Sequence, residues 1–353
     1  MTPLEAELRR MIALDGPVTV ADYMRLCLGH PQHGYYMTRD RFGARGDFTT
    51  APEISQMFGE LLGAWAAAVW RQMGSPARVN LVELGPGRGT LMADALRAAK
   101  AAPDFLSAVA IHLVETSPVL RATQESNLAP RNGAITWHHR IEDVPEGPLI
   151  GIANEFVDAL PIDQFVKDRG WHLRMVGLAD DRLAFMVAPD RLPGNENLEA
   201  PTGAILERRH DRPAALLARR LAEYGGAALI IDYGHVASGF GDTLQAVADH
   251  KFADPLAAPG EADLTAQVDF AALARTAERE GARPQGPLTQ GDFLRRLGIE
   301  QRAARLKAKA TPQQAADIDA ALARLTAPDQ MGELFKVLAI ADSKLGALPG
   351  FDL

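Results

Sequence analysis

The chain has 353 residues, of which 47% are hydrophobic and 23% charged, and its formal net charge is −8. This composition is typical of a globular protein, and the acidic balance argues against a dedicated nucleic-acid-binding surface. A single cysteine excludes an intramolecular disulfide framework, and the absence of any run of 18 apolar residues predicts no membrane insertion.

The first 75 residues are predicted to form a helical extension with a loop that closes over the site. Residues 29–52 are rich in glycine and proline, and we expect an ordered loop there. The N-terminus carries Glu5 and Glu7 and lacks the apolar core of a signal peptide, so we expect a cytoplasmic location. Apolar spacing near 3.6 predicts helices over 3–14, 19–28 and 53–73.

Residues 76–353 show short apolar runs alternating with helical segments, the pattern of a parallel sheet with helical crossovers. The predicted strands are 79–84, 110–116, 135–140, 149–156, 227–234 and 335–341. Two insertions interrupt this pattern, antiparallel strands within about 163–204 and charged helices within about 285–330. We therefore predict an α/β fold with one Rossmann-like sheet, an N-terminal helical extension, and inserted β-hairpin and helical segments.

The stretch LVELGPGRGT, residues 81–90, is a glycine-rich turn between a predicted strand and a predicted helix. Such a turn presents backbone N–H groups at a helix N-terminus and lets a cofactor approach the chain closely. The dinucleotide pattern needs glycine or alanine where Thr90 stands, and a phosphate-binding loop needs a lysine that is absent. The pattern Glu83-x-Gly85-Pro86-Gly87-x-Gly89 instead resembles the first motif of class I S-adenosylmethionine-dependent methyltransferases.

Glu83 suits the cationic amino-acid end of that cofactor, and the glycine backbone accommodates the rest. A second acidic residue ending the next strand takes the ribose hydroxyls in Rossmann-type sites. Glu115 stands there, 26 residues after Gly89, and with Thr116 it is predicted to bind the cofactor.

The stretch IANEFVDALPIDQF, residues 152–165, runs from an apolar strand directly into Asn154, Glu155 and Asp158. Ligands of open α/β sheets bind beyond the carboxyl ends of strands, so these side chains are candidate catalytic residues. Paired carboxylates bind a guanidinium bidentately, and Glu155 and Asp158 share a face if the chain turns helically there.

Two further segments supply candidates. GDFTTAPEIS, residues 46–55, precedes the first strand of the sheet, so Asp47, Phe48, Thr49 and Thr50 are candidates for cofactor or substrate contact. IDYGH, residues 231–235, ends a strand, so Asp232, Tyr233 and His235 are candidates to line the acceptor pocket. His235 is also a candidate proton acceptor.

Cys27, His30 and His33 have the side-chain types of a zinc site, but a fourth ligand is not visible and Pro31 interrupts a helical arrangement. We therefore predict no metal site.

Seven segments together resemble the MidA-like family, whose mitochondrial members are complex I assembly-factor protein arginine methyltransferases. They are GDFTTAPEISQMFGELLGAW (46–65), LVELGPGRGTLMADALR (81–97), HLVETS (112–117), NEFVDALPIDQF (154–165), IDYGH (231–235), GDTLQAV (241–247) and DLTAQVDF (263–270). The resemblance implies a class I methyltransferase fold and S-adenosylmethionine as cofactor. It also implies symmetric dimethylation of an arginine in a respiratory complex I subunit, in support of complex assembly.

Three hypotheses remain open at the level of the sequence. The first is a protein arginine N-methyltransferase whose partner is a protein with an accessible arginine. The second is a methyltransferase for a small molecule or another protein nitrogen, and the third is a non-catalytic assembly chaperone that binds the cofactor. The oligomeric state stays open, a homodimer included.

Overall fold

The computed structural model describes residues 1–38, 50–129, 135–191, 198–248 and 251–352. The helices are α1 (Pro3–Asp15), α2 (Val20–Gly29), α3 (Tyr35–Thr38), α4 (Ala51–Ile54), α5 (Gln56–Gln72), α6 (Thr90–Ala99), α7 (Pro103–Ala108), α8 (Pro118–Leu128), α9 (Arg212–Tyr224), α10 (Phe270–Arg279), α11 (Gln290–Arg296), α12 (Ile299–Lys307) and α13 (Pro312–Thr326). The strands are β1 (Val18–Thr19), β2 (Val79–Leu84), β3 (Val109–Val114), β4 (Ile135–His138), β5 (Leu149–Asn154), β6 (Ile162–Asp168), β7 (Gly170–Ala179), β8 (Arg182–Arg191), β9 (Ile205–Arg209), β10 (Gly226–His235), β11 (Gln245–Ala248), β12 (Lys251–Ala253), β13 (Asp263–Thr265), β14 (Val268–Asp269), β15 (Arg283–Thr289) and β16 (Phe335–Ala341).

The larger of two compact units contains α4–α13 and the main sheet. Its strand order is β15-β16-β10-β5-β2-β3-β4, and β14 pairs with the end of β10. Five neighbouring strands of this sheet run parallel, namely β4, β3, β2, β5 and β10. β16 runs antiparallel to both of its neighbours, β10 and β15. This mostly parallel α/β sheet confirms the predicted fold class.

The central strands follow directly from the apolar runs in the sequence. β2 and β5 are buried along their whole length, because helices cover both faces of a parallel sheet. The predicted strands 79–84 and 335–341 have the observed bounds of β2 and β16. The strand β3 pairs with one edge of β2, and β5 pairs with the opposite edge. This reversal of strand order creates a crevice at the carboxyl ends of β2 and β5.

The smaller unit combines α1–α3 with the described residues of 158–211 and 238–267. β6, β7 and β8 are consecutive antiparallel strands, as predicted for the first insertion. Asp180 and Asp181 both have positive φ, 48° and 58°, as the two central residues of a hairpin turn require. The predicted boundary at residue 75 differs from this division, since α4 and α5 belong to the larger unit.

Three local features differ from the sequence prediction. The expected helix over 53–73 is two helices, because Ser55 is extended and caps α5 by accepting a hydrogen bond from the Met57 N–H. The expected loop over 29–52 includes α3 in its described part. The strand β15 contains Pro284 and Pro287, which the sequence pattern does not favour, and it is accommodated at the edge of the sheet.

The predicted helical insertion is observed as α11, α12 and α13. Arg302 of α12 forms a paired contact with the buried Glu60 of α5, with Nε–Oε2 and Nη2–Oε1 distances of 2.7 and 3.0 Å. Arg97 of α6 donates to the same carboxylate. These contacts fasten the insertion to the domain, which favours a packed insertion over a lid. No described helix has the length and apolarity needed to cross a bilayer.

Candidate active site

The turn after β2 has a backbone that only glycine adopts easily. Gly85, Gly87 and Gly89 have φ values of 63°, 52° and 79°. A Cβ on Gly85 would lie 2.8 Å from the ring of Phe156. Gly89 is the N-terminal cap of α6, and its N–H donates to the Pro86 carbonyl at 2.8 Å. The turn therefore leaves its backbone open to a ligand, as the sequence predicts.

Glu83 lies beneath this turn and is 3% exposed. Burial raises the pKa of this carboxyl to about 8, opposed by a hydrogen bond from the Met92 N–H in the first turn of α6. Its Oε2 atom is buried without a hydrogen-bond partner. A buried acceptor of this kind is stabilised by a cationic donor.

Asn154 and Glu155 stand where β5 ends. The Oε1 atom of Glu155 accepts hydrogen bonds from the Ala51 N–H at 3.0 Å and from Nδ2 of Asn154 at 3.2 Å. Glu155 has a φ of +50°, which turns the chain sharply away from the strand. The Oδ1 atom of Asn154 is buried without a hydrogen-bond partner.

These residues line one cleft at the carboxyl ends of β2 and β5. Its lining contains Thr50, Pro52, Glu53, Glu83, Gly85, Pro86, Gly87, Arg88, Thr90, Leu91, Asn154 and Glu155. Two buried acceptors without partners, Glu83 Oε2 and Asn154 Oδ1, fit the ammonium group of the methionine portion of S-adenosylmethionine. The structure thus brings together the glycine turn, Thr50 and the first two residues of the acidic turn.

Glu115 follows β3 and is 8% exposed. Its Oε1 atom accepts from the Ser117 N–H at 2.7 Å, and its Oε2 atom accepts from Nε2 of Gln124 at 3.1 Å. Burial raises the pKa of Glu115, and these hydrogen bonds oppose that rise. Gln124 also donates to the Gly87 carbonyl, so Glu115 is connected to the glycine turn. Thr116 is exposed, and neither it nor Glu115 is among the residues that line the cleft.

Asp158 belongs to the smaller unit and is 7% exposed. Its carbonyl accepts hydrogen bonds from the Ala266 N–H and from Arg209. Burial raises the pKa of the Tyr36 hydroxyl well above its ordinary value, and the nearby carboxylates of Asp263 and Asp158 raise it further. Residues 155–160 do not form a helix, so the helical face that Glu155 and Asp158 were expected to share is absent.

His235 is partly exposed beyond the last main-sheet pair of β10, and its Nδ1 atom contacts the Ala237 carbonyl at 2.7 Å. It is not among the residues that line the cleft. Asp47, Phe48 and Thr49 lie outside the described residues.

The histidines of the rejected zinc pattern bind a carboxylate. The Nε2 atoms of His30 and His33 lie 3.2 and 3.3 Å from the carboxylate oxygens of Glu7, and Cys27 is buried. Across the described ranges, no group of three or more His, Cys, Asp or Glu side chains is arranged to hold a metal ion.

Two acidic residues, Glu53 and Asp232, have contacts that the sequence alone does not predict. Glu53 accepts a hydrogen bond from the Thr90 hydroxyl and pairs with Arg88 at 3.5 Å. Asp232 is fully buried, and its Oδ2 and Oδ1 atoms accept from the N–H groups of Val157 and Tyr233, each at 3.0 Å. An acidic residue at the end of a strand or helix is a signal that it accepts hydrogen bonds there. Its partners cannot be read from the sequence when they are distant in the chain.

Comparison with known proteins identifies similar chains. A family model described as an S-adenosyl-L-methionine-dependent methyltransferase matches residues 61–288. The Drosophila melanogaster protein named "Protein arginine methyltransferase NDUFAF7 homolog, mitochondrial" is 40% identical, over 98% of this chain and 86% of its own length. The human protein named "Protein arginine methyltransferase NDUFAF7, mitochondrial" is 37% identical, over 96% of this chain and 83% of its own.

A crystal structure from Burkholderia thailandensis has the same fold. It is 30% identical in sequence with a TM-score of 0.85, and the match covers 99% of this chain and 94% of that one. That protein was crystallised with S-adenosyl-homocysteine, the product left when the cofactor loses its methyl group.

Proposed function

The chain belongs to a family of S-adenosyl-L-methionine-dependent methyltransferases, and we propose that it methylates the guanidinium nitrogens of a protein arginine. The arginine specificity in the names of its relatives supports this proposal. The observation that carries it is the Glu155 carboxylate, which lines the cofactor cleft at the end of β5. A carboxylate in this place suits a cationic acceptor.

The residues of the cleft have separate tasks towards the cofactor. Glu83 and Asn154 would hold the ammonium group, and the backbone of the glycine turn would contact the cofactor directly. Glu115, which lies outside the cleft lining but is linked to the glycine turn through Gln124, would bind the ribose hydroxyls. When bound, the cofactor supplies a methyl group on a positively charged sulfur.

The acceptor presents a different problem, because a guanidinium has a pKa of about 13.8 and is a poor nucleophile. Glu155 binds its N–H groups and draws the positive charge towards the nitrogens that it contacts, leaving another nitrogen facing the methyl group. The methylated nitrogen then loses one proton to the solvent, which returns the guanidinium to a single positive charge, while Glu155 keeps its contacts with the other nitrogens. The Ala51 N–H and Asn154 hold the carboxylate in place for this role.

A finer proposal concerns the product and the partner. The MidA-like resemblance favours symmetric dimethylation of an arginine in a respiratory complex I subunit, in support of complex assembly. Mass spectrometry of proteins captured by this chain, with a deletion strain as control, would detect the symmetric dimethylarginine. The cytoplasmic location stays a prediction from the sequence.

The deciding experiment compares Glu155→Gln with the wild type, using an isotope-labelled methyl donor and whole-cell lysate. The amide oxygen still accepts from Ala51, so we expect cofactor affinity to change by less than about threefold. We expect methyl transfer to fall at least about 100-fold, the range for loss of one preorganised electrostatic contact in the transition state. Exposed Glu278→Gln on α10 is the matched control.

Other outcomes would favour other functions. Full activity in Glu155→Gln would remove this residue from the mechanism. Label that enters only small molecules would favour a small-molecule methyltransferase. Cofactor binding by calorimetry without any methylated product would favour a non-catalytic chaperone.

A further inference from the structure

Gln124 of α8 is fully buried and connects three parts of the larger unit. Its Nε2 atom donates to the Gly87 carbonyl at 2.7 Å and to Glu115 Oε2 at 3.1 Å. Its Oε1 atom accepts from the indole N–H of Trp137 at 2.9 Å. One side-chain amide thus joins the glycine turn, the end of β3 and the strand β4.

The chemistry of the partners fixes the orientation of this amide. A carbonyl and a carboxylate only accept, and an indole N–H only donates, so the amide nitrogen must face Gly87 and Glu115. A flipped amide would set its oxygen against two acceptors. The side chain therefore holds Gly87 and Glu115 at one separation.

The packing around the amide reinforces this constraint. A Cβ added to Gly89 would lie 3.5 Å from Cγ of Gln124 and 3.3 Å from Leu128, so the turn rests directly on α8. The other oxygen of Glu115 accepts from Ser117, which fixes the rotation of the carboxylate.

We propose that Gln124 is a positioning residue for the cofactor, which sets Glu115 at the distance from the glycine turn that lets one ligand contact both. The proposal rests on the assignment of the ribose hydroxyls to Glu115. It does not depend on which acceptor is methylated. Gln124 acts through Glu115 and Gly87 and need not touch the cofactor.

The test measures affinity for S-adenosyl-homocysteine and for its 2′-deoxyribose analogue by calorimetry. Gln124→Met keeps the side-chain length but removes both donors. We expect a roughly 10- to 100-fold weaker affinity for S-adenosyl-homocysteine, the range for a hydrogen bond to a charged group. We also expect the preference over the deoxy analogue to fall below about twofold, because the carboxylate no longer faces the ribose correctly.

Two further variants separate positioning from simple loss of structure. Gln124→Glu keeps the volume but faces two acceptors with a carboxylate, so it should weaken binding more than Gln124→Met. In a Glu115→Ala background, Gln124→Met should cost less than about threefold. Exposed Gln301→Met on α12 is the control, and thermal melting checks the folding of each variant.

The outcomes distinguish the proposal from its premise. If the wild type prefers the ribose ligand and Gln124→Met keeps that preference, Gln124 is only a packing residue and the proposal is wrong. If the wild type itself shows no preference, the assignment of Glu115 fails and takes the proposal with it. If the protein methylates no arginine, its affinities for S-adenosyl-homocysteine and for the 2′-deoxyribose analogue are unaffected. The role of Gln124 is therefore tested separately from the identity of the methyl acceptor.

Discussion

The turns that follow β2 and β5 lie at neighbouring strand ends and differ in how they face the cleft. The turn after β2 uses three glycines at positive φ to clear space, and its acid, Glu83, keeps one oxygen without a partner. The turn after β5 places a non-glycine residue, Glu155, at positive φ and fastens its carboxylate to Ala51 and Asn154. The first turn exposes its backbone to the cleft, whereas the second presents a side chain to it.

The second turn stores strain that its surroundings must offset. A non-glycine residue in the left-handed region costs about 1–2 kcal/mol. The Glu155 N–H donates to the Ile231 carbonyl at 2.8 Å, and Asp232 binds the Val157 N–H just beyond. Such strain is kept where it orients a functional group, which agrees with a catalytic role for Glu155.

The largest effect is expected from Gly85→Val in the first turn. A β-branched side chain at this φ is strained, and its Cβ would lie 2.8 Å from Phe156. We expect cofactor affinity to fall more than about 100-fold, which corresponds to roughly 3 kcal/mol. Calorimetry with S-adenosyl-homocysteine measures this loss.

Gly346→Val is the matched control, because a Cβ at Gly346 meets no atom within 4 Å. Retention of normal affinity by folded Gly85→Val would show that the turn does not need an open backbone. Thermal melting separates that result from unfolding.

An intermediate effect is expected from Glu83→Gln, with cofactor affinity roughly 10- to 100-fold lower. The pKa of about 8 means that Glu83 is mostly protonated in the ligand-free protein at neutral pH. A bound ammonium favours the carboxylate, so binding releases a proton. Wild-type affinity should therefore rise between pH 6 and pH 8, by at most about tenfold per pH unit.

The same carboxyl should affect stability in the opposite direction. Its folded-state pKa lies above the ordinary value of 4.5, so the folded protein binds the proton more tightly than the unfolded chain. Stability of the ligand-free protein should fall as pH rises from about 4.5 to 8. Both pH slopes should flatten in Glu83→Gln, and unchanged slopes would assign them to another group.

The smallest effect is expected from Asp232→Asn, which alters hydrogen bonds of the second turn and of the end of β10. Asparagine keeps one oxygen, so Val157 or Tyr233 loses its acceptor and the turn loosens. We expect methyl transfer to fall about tenfold, the equivalent of one ordinary hydrogen bond, with cofactor affinity within about twofold of the wild type. Single-turnover assays and calorimetry measure the two quantities.

Exposed Asp329→Asn is the control for this variant. An equal loss of cofactor affinity and transfer would mean that the two turns act as one unit. The turn after β2 and the turn after β5 would then not have separate roles in cofactor binding and methyl transfer.

The sequence predicts well those elements whose burial is uniform. β2 and β16 are mostly apolar and mostly buried, and their predicted and observed bounds agree, because a strand covered on both faces carries this signal in its own sequence. β15 was missed because its prolines are tolerated only at an edge, and edge position depends on the whole sheet.

The residues of the candidate site also differ in how well the sequence predicts them. The glycine turn is local, so its spacing predicts both its conformation and its ligand. Gln124 and Asp232 act on partners 37 and 75 residues away in the chain, and a glutamine in a helix has no pattern of its own. The acidic turn follows β5 directly, but its path is not helical, and one of its hydrogen bonds goes to Asp232, which is 75 residues away in the chain.

The position of β16 between β10 and β15 has a consequence for synthesis. The ribosome makes β16 last of the described strands, yet it occupies an interior place in the sheet. Until residues 335–341 have emerged, one edge of β10 is unpaired and β15 lacks the strand with which it pairs in the described sheet, and unpaired strands promote aggregation. The residues that line the candidate cleft, in contrast, all lie between Thr50 and Glu155, so a nascent chain contains all of them long before β16 completes the sheet.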